Sequence, residues 1–276
     1  METRENKILV PVDFSEHSLA GLEQAYSLAR FSNSDIILLH VFTDNNVSLE
    51  HYEKVKAKFK EFTELASKNS GLKISYKLEQ GKLIETIIEA AEELKVKMIV
   101  VGTTTTKGFA QLLWGSNDMK LIKEAKCTVV TLKDSQPRKN IKNIILPLDL
   151  TKETKQKIST AIHLAKFFGG RIYAVSVATT PVEYDQEKMR QQLAQVQSYI
   201  ESFGIECEIR FKRTSGGNEK IAKELLNFAD EVKGDIMLIM VQQEGDFSEI
   251  VIGSLAKEII HKAKIPVMSI RPQKNK

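Results

Sequence analysis

Short apolar runs alternate with longer amphipathic stretches along the whole chain. The first run, Lys7–Val12, is apolar after its lysine and stops at Asp13. The next stretch, which begins after Ser15 and continues to about Phe31, carries its apolar residues at helical spacing. Continuously apolar strands are typical of parallel sheets covered on both faces, and strands that alternate with helices predict βαβ units. The pattern therefore predicts an α/β fold with helices on both faces of an open parallel sheet.

The same periodicities place the other elements of the first half. Ser15 is the predicted N-cap of the first helix, and Gly71 is the predicted end of a long helix rich in lysine and glutamate. Alternating polar and apolar residues at 73–78 indicate an edge strand. The remaining predicted strands are 35–42, 98–101 and 128–132, and the later helices are 49–69, 82–94 and 117–124.

The second half of the chain repeats the first. The segment Ile8–Ser15 resembles Ile144–Thr151, which begins 136 residues later, and Lys97–Val101 resembles Asp235–Ile239 at an offset of 138. A glycine-serine pair recurs in the same order, at Gly115 and again at Gly253. Ordered matches at a nearly constant offset indicate a tandem duplication.

The length of 276 residues suits two domains. We predict domain 1 at residues 1–134 and domain 2 at 141–276, joined by the polar segment Asp134–Asn140. A content of 42% hydrophobic and 28% charged residues excludes a disordered or collagen-like chain. The net charge of +4 is too small to indicate nucleic acid or a membrane as a partner.

The chain shows no signal-peptide pattern and no apolar run long enough to cross a bilayer, so we expect a cytoplasmic protein. Cys127 and Cys207 lie in strand-like stretches and are expected to be buried, reduced thiols, although one disulfide is formally possible. The histidines and cysteines show no metal-ligand spacing, so no metal site is predicted. The Ser215–Asn218 segment, with two central glycines, is interpreted as a turn.

Candidate chemistry lies where the parallel strands end, because ligands of open α/β sheets bind beyond the carboxyl ends of the strands. Asp13 follows the first strand, where its carboxylate could accept hydrogen bonds from a ribose hydroxyl or an amine. The alternative is that Asp13 caps the helix that begins near Ser15. Asp149 occupies the same place in the second half and fits both interpretations.

A second candidate segment joins Gly102, at the end of a strand, to a helix start at Gly115–Asn117. A helix that begins at a glycine presents free N–H groups and a positive dipole end to an anion. The alternative is that this glycine-serine pair only caps the helix. The length of the connecting loop favours a functional role.

These segments together resemble the universal stress protein family over essentially the whole chain, as two family domains in tandem. The family's nucleotide signature is glycine, two residues, glycine, nine residues and then Gly-Ser or Gly-Thr. Here it falls on Gly102, Thr105 and Gly115–Ser116, with threonine in place of the second glycine. The resemblance implies two doubly wound, Rossmann-like domains, each with a five-stranded parallel sheet.

The resemblance also implies that domain 1 binds ATP or AMP, with Mg²⁺ accompanying ATP. The implied nucleotide-binding residues are Pro11, Val12, Asp13, Val41, Gly102, Thr104, Thr105, Gly115, Ser116 and Asn117. In domain 2 the signature falls on Met240, Gln243 and Gly253–Ser254, so both early glycines are lost and no cofactor is expected there.

In the family, two such domains pair through their last strands. The resemblance therefore implies an intrachain pseudo-dimer through Val129–Thr131 and Val267–Ser269, with a further homodimer as an open alternative.

Three functions follow as hypotheses. The first is a cytoplasmic stress-response module that senses adenine nucleotide through domain 1, with domain 2 mainly structural. The second is a nucleotide-independent interaction protein in which both sites have decayed, whose protein partners the sequence does not specify. The third is a slow ATPase, which we rank last because no residue is placed to activate water; no catalytic residue is therefore assigned.

Overall fold

The computed structural model describes residues 6–44, 46–103, 116–133, 137–148, 154–179, 181–243, 250–251 and 253–271. The chain divides between Lys139 and Asn140 into two compact units. The first unit contains domain 1 and the second contains domain 2, and these two names are kept below.

Domain 1 is an open, wholly parallel sheet in the strand order β3-β2-β1-β4-β5. Strand β3 lies at the edge, as its alternating pattern predicts. The elements are β1 (Asn6–Pro11), α1 (Glu16–Ser32), β2 (Ser34–Phe42), α2 (Leu49–Ser70), β3 (Ile74–Gln80), α3 (Leu83–Glu93), β4 (Met98–Thr103), α4 (Ser116–Glu124) and β5 (Thr128–Lys133).

Domain 2 repeats this arrangement in the order β8-β7-β6-β9-β12, again all parallel. Two short antiparallel strands, β10 and β11, form a separate pair. The elements are β6 (Asn143–Pro147), α5 (Thr154–Phe168), β7 (Arg171–Ala178), α6 (Glu183–Glu201), β8 (Cys207–Arg213), α7 (Asn218–Glu231), β9 (Ile236–Met240), β10 (Gln242–Gln243), β11 (Ile250–Val251), α8 (Ser254–Lys262) and β12 (Val267–Ile270).

Local sequence accounts for most of these elements. In β1, Ile8, Leu9 and Val10 are fully buried, which explains the unbroken apolar run. The Oγ of Ser15 accepts a hydrogen bond from the amide of Ser18 and caps α1. At the far end of α2, Gly71 adopts a left-handed φ of 68°, the conformation for which glycine is preferred. The predicted α/β fold with parallel sheets is confirmed.

The two cysteines are free thiols, but they differ in burial. Cys207 begins β8 and is buried, as expected. The expectation that Cys127 is buried inside a strand is wrong, because it is half-buried and lies just before β5. Burial, with a smaller contribution from the charge of Glu201, raises the pKa of the Cys207 thiol to about 12.

We therefore expect only Cys127 to react with a thiol reagent such as DTNB in the native protein. At pH 8, about one in ten thousand Cys207 side chains is the reactive thiolate, given its pKa of about 12. Kinetic labelling before and after denaturation checks this, and Cys127→Ser should abolish the native reaction. Fast labelling of two thiols in the folded wild type would contradict the assignment.

Within the described ranges, no helix is long and apolar enough to cross a membrane.

Candidate functional site

The carboxyl end of β1 lies at the topological switch point of domain 1. Strand β1 pairs with β2 on one side, where Pro11 lies opposite Leu39, and with β4 on the other, where Leu9 lies opposite Ile99. The strand order therefore reverses at β1, and ligands of open α/β sheets bind outside the carboxyl ends of the strands at such a point. Most of the predicted candidate residues lie at or after the ends of β1 and β4, and Val41 lies on β2.

Asp13 lies at this end of the sheet, two residues beyond β1, and is half-buried. Its Oδ1 accepts hydrogen bonds from the Ser15 amide at 2.9 Å and the Ser15 hydroxyl at 2.6 Å. Ser15, not Asp13, is the N-cap of α1. The alternative that Asp13 itself caps the helix is therefore wrong, although its carboxylate does stabilise the residue that caps it.

The carboxyl group of Asp13 stays ionised at neutral pH. Burial acts to raise the pKa of this carboxyl, but hydrogen bonds, chiefly those from the hydroxyl and the amide of Ser15, together outweigh it. The pKa of Asp13 lies below its ordinary value as a result. The switch point of domain 1 therefore carries a half-buried anion that accepts hydrogen bonds.

The backbone directly before Asp13 is held by β2. The amide of Val12 donates to the carbonyl of Leu39 at 2.8 Å, which extends the parallel pairing one residue beyond β1. The carbonyl of Val12 lies 2.9 Å from Nδ1 of His40. Val41 is 2% exposed and follows His40 on β2. Pro11, Val12, Asp13 and Val41 thus belong to neighbouring segments at this end of the sheet.

His40 is a residue of this region that the sequence analysis did not select. Its ring packs against Phe42 and Phe59, with centroids 4.8 and 5.4 Å away. Burial lowers the pKa of His40 below its ordinary value of 6.5, although the Val12 carbonyl and the charge of Asp13 oppose this effect. A single histidine on a strand forms no sequence pattern that would mark it as a site residue. Only the contact of its ring with the Val12 carbonyl shows that it belongs to this region.

The lowered pKa of His40 predicts that domain 1 loses stability as the pH falls. The folded state takes up a proton less readily than the unfolded state, so the contribution is complete above about pH 6.5 and is lost towards the lower folded pKa. We expect His40→Asn to reduce the loss of stability between pH 7.5 and 5.5, by no more than about 1.4 kcal/mol, the limit for one proton over the single pH unit below 6.5. Denaturant titrations at both pH values measure this, with the exposed His163→Asn as control. An unchanged pH dependence in His40→Asn would refute the assignment.

Phe14 is a second residue that sequence reasoning missed. Its φ is 65°, a left-handed conformation that costs a non-glycine residue about 1–2 kcal/mol. Its ring packs on Phe59 and Phe62 of α2, with centroids 4.6 and 5.2 Å away. This packing supports the turn that carries Asp13.

Gly102 lies on the other side of the switch point, on β4. A Cβ on Gly102 would lie 1.8 Å from the carbonyl oxygen of His17, and a Cβ on Gly21 would lie 2.8 Å from the amide nitrogen of Gly102. Helix α1 therefore lies directly on the end of β4. Glycine is required at position 102 by this packing, whether or not a phosphate approaches it.

The other predicted residues can be placed only in part. Helix α4 begins at Ser116 and includes Asn117, so the expected helix start is present in the backbone. Thr104, Thr105 and Gly115 lie outside the described residues. In the described part of the chain, no group of three or more histidine, cysteine or acidic residues could hold a metal ion.

Three features are found in both the sequence and the structure: the order of elements, the turn that carries Asp13 and the glycine at the end of β4. All three lie in the part of the chain that a family model matches. The model of the universal stress protein family matches the chain twice, at residues 5–133 and 140–271. The chain belongs to the universal stress protein family.

One curated relative agrees with this assignment, and a solved structure shares the fold. A universal stress protein of Methanocaldococcus jannaschii is 30% identical over 144 residues, which cover 48% of this chain and 84% of the relative. The crystal structure of a universal stress protein from Archaeoglobus fulgidus covers 99% of both chains, with a TM-score of 0.76 and 18% identity. A second solved protein from that organism, in complex with dAMP, covers 47% of this chain and 97% of its own, with a TM-score of 0.40 and 22% identity.

The second universal stress protein domain has a cavity of about 410 Å³ at the carboxyl ends of its own strands. Met240, which stands where domain 1 has Gly102, lines this cavity together with Gly253 and Ser254. Asp149 lies outside the described residues. Domain 2 therefore keeps a space at the position of the family site while it lacks the early glycines.

Proposed function

We propose that this protein is a cytoplasmic stress-response module that binds an adenine nucleotide, ATP or AMP, through domain 1. The observation that carries the proposal is the ionised carboxylate of Asp13, which Ser15 holds at the switch point between β1 and β4. A half-buried carboxylate at such a switch point suits the two hydroxyls of a ribose, which donate hydrogen bonds to it.

The surrounding groups support the same ligand. Val12 and Val41, which the family resemblance places at the adenine and ribose end of the site, are buried beside Asp13 and make the packing there apolar. The start of α4 at Ser116 directs backbone N–H groups and a positive dipole end outward, which favours phosphate. Together with the implied roles of Gly102, Thr104, Thr105, Gly115 and Asn117, these groups would hold base, ribose and phosphate in that order, with Mg²⁺ accompanying ATP.

Calorimetric titration of the full chain with ATP and with AMP tests the proposal. We expect one nucleotide per chain, and Asp13→Asn should weaken binding about 10- to 100-fold, the value of a hydrogen bond to a charged group. The duplication offers a matched control, because Asp149→Asn makes the same change at the equivalent position of domain 2. Binding lost in Asp149→Asn but kept in Asp13→Asn would contradict the proposal, and so would the absence of heat at millimolar nucleotide.

Proposals also follow for the organisation of the chain. Domain 1 at 1–134 and domain 2 at 141–276 would pair through their last strands as a pseudo-dimer within one chain. Such pairing would cover strand edges that otherwise invite aggregation.

A further inference from the structure

A groove of domain 2 lies between α7 and α8. Its volume is about 470 Å³, and every residue that lines it belongs to the described part of the chain. The groove has an apolar floor of Leu226, Ala229 and Ile265, of which the last two are buried. Its sides carry four lysines, two from α7, one from the end of α8 and one just beyond that helix: Lys220, Lys223, Lys262 and Lys264. We call it the lysine groove.

The lysine groove has an excess of positive charge. Its four lysines stand against two acidic lining residues, Glu219 and Asp230, a difference of +2. Lys262 pairs with Glu219 at 3.3 Å and with Glu258 at 2.7 Å. Lys264 pairs with Asp230 at 3.1 Å. Exposed pairs of this kind contribute little to stability, so these lysines can exchange their partners for other carboxylates.

The equivalent surface of domain 1 has the opposite sign. At the repeat offset of 138 residues, Lys223 corresponds to Glu85 and Lys262 corresponds to Glu124. Glu89 adds a negative charge where domain 2 has Asn227. The charged residues at these positions of domain 1 are two lysines and four glutamates, a difference of −2: Lys82, Lys126, Glu85, Glu89, Glu92 and Glu124. One fold thus presents a basic surface in one domain and an acidic surface in the other.

Three of these glutamates form a stripe along α3, which we call the glutamate stripe. Glu85, Glu89 and Glu92 are spaced by four and three residues, which places them on one face of the helix. Glu89 and Glu92 are exposed, and Glu85 is half-buried. Glu85 and Glu92 pair with Lys120 and Lys126, each at 2.7 Å, in solvent-accessible ion pairs that can also be exchanged. Domain 1 therefore offers an acidic helix ridge to a partner.

We propose that the glutamate stripe of one copy of this protein docks in the lysine groove of a second copy. A groove between two helices can accept the ridge of a third helix, and here the carboxylates of the ridge would meet lysines on both sides. Complementary charge of this kind steers encounter and fixes register more than it adds affinity, so the contact is weak and sensitive to salt. It is a head-to-tail contact, so further copies can add or close a ring. The inference does not depend on the nucleotide site proposed for domain 1.

Sedimentation velocity of the full chain tests the proposal. In about 50 mM NaCl the mean sedimentation coefficient should rise with protein concentration into the submillimolar range, and in about 500 mM NaCl the rise should disappear, because salt screens exposed charges. Protein that stays monomeric in low salt, or that associates equally in high salt, would overturn the proposal. Binding of a glutamate-rich peptide to protein that stays monomeric would also overturn it, since the occupant would then be a foreign acidic segment.

Single charge reversals locate the contact. Lys223→Glu and Glu89→Lys leave the ion pairs described above in place. Each should weaken association about 3- to 10-fold, since an attractive exposed pair becomes a repulsive one. Lys188→Glu, exposed on α6, makes the same change in charge outside the groove and should leave association unchanged. Equal association in Lys223→Glu and Lys188→Glu would refute the assignment of the groove.

An equal mixture of the two weakened variants tests the head-to-tail geometry. The Lys223→Glu chain keeps an intact glutamate stripe, and the Glu89→Lys chain keeps an intact lysine groove. The mixture should therefore associate about as tightly as the wild type, but it should stop at pairs, because the two surfaces left free are both altered. A mixture that associates no better than either variant alone would contradict the proposal.

Discussion

Replacing Gly102 with alanine should destabilise domain 1 by about 3 kcal/mol, at the upper end of the cost of overpacking a core. The added Cβ would lie 1.8 Å from the carbonyl oxygen and 2.6 Å from the carbonyl carbon of His17. Both are backbone atoms of α1, so no side-chain rotation relieves the contact and the helix must shift away from β4. Denaturant unfolding, with hydrogen exchange of domain 1 peptides to locate the effect, measures this.

Gly217→Ala provides the control for this experiment. Gly217 is the N-cap of α7, and a Cβ on it would meet nothing within 4 Å. The loss of unfolding free energy should therefore stay within about 1 kcal/mol, the typical value of an N-cap change. If Gly102→Ala cost no more than Gly217→Ala, the close packing of α1 on β4 would be refuted. Gly21→Ala should show an intermediate loss, because its Cβ would lie 2.8 Å from the Gly102 amide nitrogen.

Replacing Phe59 with alanine should lower the free energy of unfolding by about 3–5 kcal/mol, as for other large aromatic residues in cores. Phe59 is fully buried, and it is one of only three buried residues along the 22-residue helix α2, with Thr63 and Ala66. Its ring meets those of Phe14, His40 and Tyr76, with centroids 4.6, 5.4 and 5.9 Å away. Loss of Phe59 therefore removes the main apolar anchor of α2 and the support of the Asp13 turn.

Phe62→Ala tests whether burial, not aromatic character, sets the size of this effect. Phe62 lies on the same helix and packs on Phe14 with centroids 5.2 Å apart, but it is only half-buried. We expect about half the loss of unfolding free energy found for Phe59→Ala. The transfer free energy of the side chain and the energy of the cavity left behind both scale with the buried part of the side chain. Equal losses in the two variants, measured by denaturant unfolding, would show that Phe59 does not anchor α2.

The two domains share one fold but differ where a ligand would bind. Domain 1 brings α1 against β4 through Gly21 and Gly102, and it keeps an ionised Asp13 at the switch point. Domain 2 places Lys157 and Met240 at the two glycine positions and has a cavity there.

Much of the fold followed from the sequence, because its causes are local. The buried run of β1, the Ser15 cap of α1, the edge pattern of β3 and the left-handed Gly71 each depend on the residue itself and its nearest neighbours. The repeat then carried the same interpretation into domain 2. Asp13 and Val41 could be placed together because the carboxyl ends of parallel strands meet at one edge of a sheet.

Tertiary structure alone decided what the residues at that edge contact. His40 gained its role from a carbonyl 28 positions away, Phe14 from rings on α2, and Gly102 from a helix turn more than 80 residues earlier. Lys157 reads in the sequence as one more charged residue of an amphipathic helix, yet it lines the cavity of domain 2. Hydrophobic periodicity reports which face of an element is buried, whereas these contacts depend on how closely two distant elements approach, which no local pattern encodes.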